Sequence, residues 1–380
     1  MQHAVIVDAV RSPIGRRNGA LSDCRADELA AHVIKGLLAR VGSAVAVDEV
    51  IAGCAMQVGE QGLNIGRRTA LLADIPVSVA GSTVDFQCGS GLQAVITSAR
   101  QIMAGEADTM LAFGVETMTR VPLGSSTESY GAPYSADFLS RHEMISNGLS
   151  AERIAQLYGL ERSDLDQFSY LSHRKAAEAA DRGFFAREIV SVPVGHVEFS
   201  RDEGIRRDTS VEALGKLRPA FAVDGIVTAG SSSQISDGAA AVLLMSERGA
   251  QDAGLKPRAR IIASTSVGSD PTLALTGPID ATRKLLARTG NSINDVDAFE
   301  VNEAFAPVVL AWQKELGVAA DRVNCWGGAI ALGHPLGGSG ARLLTTLLSI
   351  LDERGGRLGV VTICCNGGLG LALLVERLRI

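Results

Sequence analysis

The sequence predicts an α/β fold of two similarly ordered halves with a polar segment inserted between them. Three observations predict it. Strand-like and helix-like runs alternate from residue 4 to 118 and again after 235. A glycine-rich loop followed by a helix and a strand occurs once in each stretch, starting at Cys88 and at Asn324. The composition is 46% hydrophobic but only 4% aromatic, with 42 glycines in 380 residues, which describes an Ala, Val, Ile and Leu core joined by many tight turns.

The elements follow in order. Ala4–Asp8 reads as a buried strand. Asp27–Val41 reads as a helix, with Leu29, Val33, Leu37 and Val41 at four-residue spacing. Glu49–Gly53 is a short strand, Arg67–Ala73 a helix and Ser82–Phe86 a strand. Ser90–Met103 is a helix stopped near Gly105, and Thr109–Gly114 a further strand. This alternation predicts parallel pairing with helices over the sheet faces. From Thr119 to about Gly230 the pattern changes. Polar runs such as the one at 124–129 interrupt it, Phe199–Arg218 is charge-rich, and a helix over Asp164–Ala180 has Ser163 as its expected cap and Gly183 as its stop. After Ile235 the alternation resumes with strands at Ala239–Met245 and Arg260–Ser264 and a helix at Asp280–Arg288. A strand at Ala298–Val301 precedes a helix ending near Gly317. The last unit is a glycine-rich loop, a helix at Ser339–Glu353 and a strand at Leu358–Cys364. The chain therefore divides into an N-terminal half (1–118 with 235–256), an inserted loop domain (119–234) and a C-terminal half (257–380).

Bulk properties exclude several functions. The net charge of −6 gives no reason to expect nucleic acid or an anionic membrane surface as a partner. No apolar run is long enough to span a bilayer. Strand-like residues begin at Ala4, with no basic and apolar leader before them. The six cysteines (24, 54, 88, 325, 364, 365) are dispersed, and reduced thiols in a cytoplasmic protein are the expectation. No Cys-x-x-Cys or His-x-x-x-His spacing points to a metal.

Chemistry concentrates in glycine-rich segments. Cys88, in Asp85-Phe86-Gln87-Cys88-Gly89-Ser90-Gly91, follows a strand and precedes a helix. There the unpaired N–H groups and the helix dipole favour a thiolate nucleophile, although a buried structural cysteine fits the local sequence equally well. His334, in Gly333-His334-Pro335, could accept the Cys88 proton, or could simply satisfy backbone groups in its loop. Cys364 ends a strand before Asn366-Gly367-Gly368-Leu369-Gly370. Adjacent strand residues face opposite ways, so Cys364 and Cys365 cannot both face one site. Asn302 begins Asn302-Glu303-Ala304-Phe305-Ala306, where the plain reading is a strand-end turn former.

Taken together, these segments resemble the thiolase family from about Val5 to the C-terminus. The resemblance implies two βαβαβαββ-type halves in a layered αβαβα core, with the inserted loop domain covering a coenzyme A site. It implies that Cys88 is the acylated nucleophile, His334 its activator, Cys364 the acid/base, and Asn302 the holder of an oxyanion-binding water. Asn366 stands where the family usually has glycine, which places a side chain near the acyl group. Ser233 matches a residue touching pantetheine, Arg206 a nucleotide-contacting arginine, and the loop at Asn147–Glu152, with Leu149, a pantetheine loop. Phe305 joins this substrate-binding set. For Arg206 a solvated charge on a charge-rich loop is the competing reading.

The implied reaction is cleavage of a 3-ketoacyl-CoA by CoA through an acyl-cysteine, with CoA as co-substrate and neither metal nor permanent cofactor. Ser146, Asn147 and Gly-Val-Glu-Thr-Met at 114–118 depart from the short-chain pattern and favour a degradative enzyme. Two alternatives stay open: an acetoacetyl-CoA thiolase working towards condensation, and a non-catalytic acyl-CoA-binding protein on the same scaffold. Expected partners are 3-ketoacyl-CoA and CoA, a second or further copies in a homodimer or homotetramer, and a hydratase/dehydrogenase subunit.

Overall fold

The computed structural model describes residues 2–42, 45–127 and 131–378; Glu128 and Ser129 of the polar run lie outside them. The first half comprises β1 (Ala4–Arg11), β2 (Gly15–Arg16), α1 (Ala26–Val41), β3 (Glu49–Gly53), α2 (Ile65–Leu72), β4 (Ala80–Val84), α3 (Ser90–Ala104) and β5 (Thr109–Thr117). The intervening segment holds α4 (Ala136–Arg141), α5 (Asn147–Leu157), α6 (Arg162–Asp181), the hairpin β6 (Val192–Val194) and β7 (Val197–Phe199), and α7 (Val211–Gly215). Then come β8 (Ser236–Ser246), α8 (Glu247–Asp252), β9 (Ala259–Gly268), α9 (Gly277–Thr289), β10 (Ala298–Val301) and α10 (Ala306–Leu316). The chain ends with α11 (Ala329–Leu332), α12 (Leu336–Arg354), β11 (Leu358–Cys365) and β12 (Leu369–Arg377).

The fold is mixed α/β around one ten-stranded sheet ordered β10-β11-β12-β9-β1-β8-β5-β3-β4, with β2 paired to β8. Outward from the β9–β1 junction, and setting β2 aside, both arms run first strand, last strand, penultimate strand, second strand. The arms meet through only two residue pairs, Val5↔Arg260 and Ile6↔Ala259. Parallel pairing holds for β3 with β4 and β5, and for β10 with β11. It does not hold for β1, whose neighbours β8 and β9 are both antiparallel. The reason is connectivity. The intervening segment lets the chain return through β8 between β5 and β1, and burial periodicity in β1 carries no information on direction.

α3 and α12 form the middle layer. From Leu336 to Leu351 every residue of α12 is buried, as the all-round small and apolar composition of a central helix requires. One apolar cluster joins α3 and α12 to both arms of the sheet, with Ile96, Ala112, Leu344 and Leu373 among its members. A second lies under α1, and a third under α9 and α10. The helix at 162–181 begins two residues earlier than expected. Glu161, not Ser163, is the cap, because Asp164 reaches back to accept the Glu161 N–H at 2.8 Å in a reciprocal capping box.

Candidate active site

Two helix N-termini converge because glycines let α3 and α12 touch. A Cβ on Gly340 would lie 2.3 Å from the Leu92 nitrogen, and one on Gly91 2.4 Å from the Gly337 carbonyl oxygen. Only hydrogen fits at such a crossing. Cys88 lies two residues before α3 and His334 two residues before α12, so the crossing brings together the two loops that carry them.

Cys88 sits in a tight turn in which Gln87 adopts φ 51°. Ser90 Oγ accepts the Phe86 N–H at 2.8 Å and donates to the Gln87 carbonyl at 2.6 Å, locking the turn. The thiol is 8% exposed. The expectation of a thiolate favoured by the helix terminus is corrected here. Burial pushes the Cys88 thiol up to about 12, although its own N–H and that of Asn366 favour the anion. A helix terminus contributes ~0.3–1 kcal/mol, less than full desolvation costs.

His334 is held at both ends. Its N–H donates to the Gln234 carbonyl at 3.1 Å, and its Nδ1 lies 2.6 Å from Ser339 Oγ. Nε2 is buried with no protein hydrogen-bond partner among the described residues. Burial, with the Arg342 guanidinium second, holds the imidazole down at about 3. It is therefore neutral around pH 7 and free to accept a proton.

Cys364 and Cys365 point apart. Cys364 belongs to the apolar cluster of Ala304, Ile330 and Leu275, whereas Cys365 packs with Cys88 and Leu371. A Cβ on Gly89 would come within 2.6 Å of the Cys365 sulfur. Burial and then the neighbouring Cys88 push the Cys364 thiol well up. Asn302 continues the ladder by donating its N–H to Thr362 O at 3.0 Å. Its side chain is buried near Cys364 with both polar atoms lacking a protein partner among the described residues. Asn366 needs no left-handed backbone: Gly367 (φ 83°) and Gly368 (φ 78°) take that geometry, and Asn366 turns its N–H to Cys88.

The residues matched to a CoA site by resemblance fall into two groups. Ser233 donates its N–H to the Ala304 carbonyl at 2.9 Å, and Ser232 bridges to Phe305, so this loop abuts the Asn302 segment. Phe305 packs edge-on against Phe221 at 5.6 Å. Leu149 lines a cavity of about 480 Å³ with Glu152, Arg153 and Asp224. Arg206 is exposed; its N–H donates to buried His173 Nδ1 at 3.1 Å.

Sequence reasoning missed three anchors. Ser339 orients His334. Glu116 accepts N–H groups of Ala55, Met56 and Gly337 at 2.9, 3.1 and 2.9 Å, tying α12's first turn to the loop after β3. Glu303 accepts from Ser172 Oγ, Asn324 Nδ2 and Ile330 N, fixing the histidine loop to Asn302's segment. An acidic residue inside an otherwise apolar run was the available signal for both carboxylates.

The thiolase N-terminal domain family matches residues 4–248, and the thiolase C-terminal domain family matches residues 255–377. The chain is 45% identical over 393 residues to a 3-ketoacyl-CoA thiolase of Salmonella typhimurium, covering 99% of this chain and 100% of the relative. It is 44% identical over 400 residues to a beta-ketoadipyl-CoA thiolase of Acinetobacter baylyi, with 99% and 100% coverage. The solved acetyl-CoA acetyltransferase of Bacillus anthracis superposes with a TM-score of 0.91 at 38% identity, covering 100% of this chain and 99% of that one.

Proposed function

The chain belongs to the thiolase family, and from that premise we propose a degradative 3-ketoacyl-CoA thiolase whose chemistry runs through Cys88. The protein is an acyltransferase. It cleaves a 3-ketoacyl-CoA with CoA to acetyl-CoA and a shortened acyl-CoA. The observation that supports the residue assignment is the crossing of α3 and α12, with Cys88 and His334 in the loops that open the two helices and Cys364 beside both Cys88 and Asn302.

In this reading the Cys88 sulfur attacks C3 of the substrate as His334 Nε2 takes the thiol proton. With both groups neutral at rest, proton transfer accompanies attack. The C2–C3 bond breaks, its electron pair stays on the acetyl-CoA carbon, and Cys364 protonates that carbon. The acyl group remains on Cys88. Cys364 then takes the proton of incoming CoA, whose sulfur displaces Cys88; the departing Cys88 sulfur recovers its proton from His334, and both groups are neutral again. The N–H groups of Cys88 and Asn366, already directed at the sulfur, are preorganised donors for the oxygen of the acyl-cysteine. Two half-reactions predict ping-pong kinetics. Ser233, Arg206, Leu149 and Phe305 are proposed to hold CoA and the acyl chain. The acetoacetyl-specific reading is the less favoured one, since relatives at 44–46% identity carry 3-ketoacyl-CoA or beta-ketoadipyl-CoA thiolase names.

Among the described residues no helix is long and apolar enough to cross a membrane. A cytoplasmic homodimer or homotetramer without permanent cofactor, able to pair with a hydratase/dehydrogenase subunit, completes the proposal. The deciding experiment measures CoA-dependent consumption of 3-ketoacyl-CoA substrates of increasing length, including a dicarboxylic one, with Cys88→Ala as control. Turnover that requires Cys88, with an acyl adduct on that residue by intact mass, is expected. CoA binding without turnover across the whole series would overturn it.

A further inference from the structure

Behind the candidate catalytic groups lies a buried ionic cluster that the proposed chemistry leaves unused. Ser339, Arg342 and Thr346 stand at i, i+3 and i+7 on α12 and so share one face. Ser339 meets His334, Thr346 donates to Glu188 Oε1 at 3.0 Å, and Arg342 Nη1 lies 3.5 Å from Glu300 Oε2. Glu300 lies on β10, two residues before Asn302. Arg342 is 1% exposed and Glu300 is fully buried. Arg342 Nε and Nη2 and Glu300 Oε1 have no protein hydrogen-bond partner among the described residues. A guanidinium held in the interior by one long contact is a costly arrangement for structure alone, and unpaired buried polar groups concentrate where function needs them.

We propose that the Arg342–Glu300 pair is a positioning element for His334: the Arg342 cation penalises the imidazolium, and the ionised Glu300 carboxylate relieves that penalty. The proposal rests on the reading of His334 as the base for Cys88. Arg342 is the charged group that bears on His334. Glu300 itself faces Arg342 from α12, Glu303 from the following loop, Glu188 from the segment beside β1, and Lys175 from α6. Burial dominates at Glu300 and pushes it up to about 8, with Arg342 pulling the other way. As pH rises through that value Glu300 becomes anionic, Arg342 is neutralised, and His334 accepts the Cys88 proton more readily.

The test is single-turnover acylation of Cys88 by saturating 3-ketoacyl-CoA in the absence of free CoA, followed across pH in the full-length enzyme. Wild type is expected to rise about tenfold, the effect of about one pKa unit on His334, with a midpoint at about pH 8. Glu300→Gln should remain on the low plateau with an unchanged KM. The double variant Arg342→Met with Glu300→Gln removes both charges and should show the high rate with no step. A Glu300→Gln profile superimposing on wild type, or a double variant no faster than Glu300→Gln, overturns the proposal. Should Glu300→Gln not fold, the double variant decides: persistence of the step overturns it, and loss of the step at the high rate sustains it. His334→Ala separates the two levels of the argument. If it leaves acylation unchanged, the base reading fails and takes the proposal with it. If it slows acylation while the Glu300 variants do not, the proposal fails alone.

Discussion

His334 Nδ1 lies 2.6 Å from Ser339 Oγ, and the same hydroxyl donates to the Pro335 carbonyl at 2.8 Å. A hydroxyl has one proton to give. Once it goes to Pro335, Ser339 can only accept from the imidazole, so Nδ1 carries the ring proton and Nε2 presents a lone pair. This is the tautomer that the base role proposed for His334 requires.

Ser339→Ala removes that control while leaving both reacting groups in place. Acylation is expected to slow by about tenfold, less than the ~10²–10⁴ attached to the base itself, with little change in KM. Stopped-flow release of acetyl-CoA checks it. An unchanged burst rate would show that the hydroxyl does not select the tautomer.

Two adjacent cysteines should behave differently. Cys364 lies in the cluster beside Ala304 and Ile330, while Cys365 packs on Gly89 behind the nucleophile. Cys364→Ala is expected to lower turnover by at least about 10²-fold while Cys88 still reacts with iodoacetamide. Cys365→Ala should stay within a few-fold in turnover and lose about 1 kcal/mol of stability from its small cavity. Paired steady-state and peptide-mapping measurements read both.

His173 gives the protein an acid-sensitive point away from the reacting groups. Burial, with Arg206 second, brings its pKa down from 6.5 to about 4. A depressed folded-state value means that the unfolded chain binds the proton more readily. Stability is therefore fully present above about pH 6.5 and is lost as pH falls towards 4, on the order of 3 kcal/mol in all. Because Nδ1 accepts the Arg206 N–H, protonation also releases the loop bearing Arg206. His173→Gln, whose amide oxygen can accept the same N–H, should make the fall of the urea-melt midpoint between about pH 6.5 and about pH 4 clearly shallower, the remaining slope belonging to the equally buried His334. A slope equal to wild type would reject the assignment.

Elements with one strong local pattern were legible before the structure. The strand at Ala298–Val301 has the bounds its sequence predicts, and the following helix ends at Leu316 with Gly317 as its cap, where the sequence places its end near Gly317. What stayed hidden depends on neighbours distant in sequence. The direction of β1 follows from where β8 inserts, and the Cys88 proton is held by burial between two layers that no local window contains. Ser339 reads as an ordinary helix residue until its hydroxyl is placed beside His334. Cys88, His334 and Cys364 stand out in the sequence because each puts a reactive side chain in or beside a glycine-rich turn, and their proposed roles come from the resemblance of those turns to the family's. Arg342 and Glu300 look like routine charges in their elements, and only the closure of the middle layer buries them together.

The α3–α12 crossing makes the sharpest stability prediction. At Gly340 a new methyl group would meet the Leu92 backbone nitrogen at 2.3 Å, and backbone inside the central layer has nowhere to move. Gly340→Ala must part the helices, at about 1–3 kcal/mol or more for overpacking. The same displacement would shift Cys88 away from His334, so acylation should fall together with the melting temperature. Gly268, at the end of β9, has nothing within 4 Å of a built Cβ and no positive φ. Gly268→Ala should therefore stay within about 0.5 kcal/mol of wild type and leave acylation untouched. Thermal unfolding and burst kinetics on this pair separate a general cost of replacing glycine from the specific cost of the crossing. Equal effects at the two positions would mean that close helix approach does not build the site.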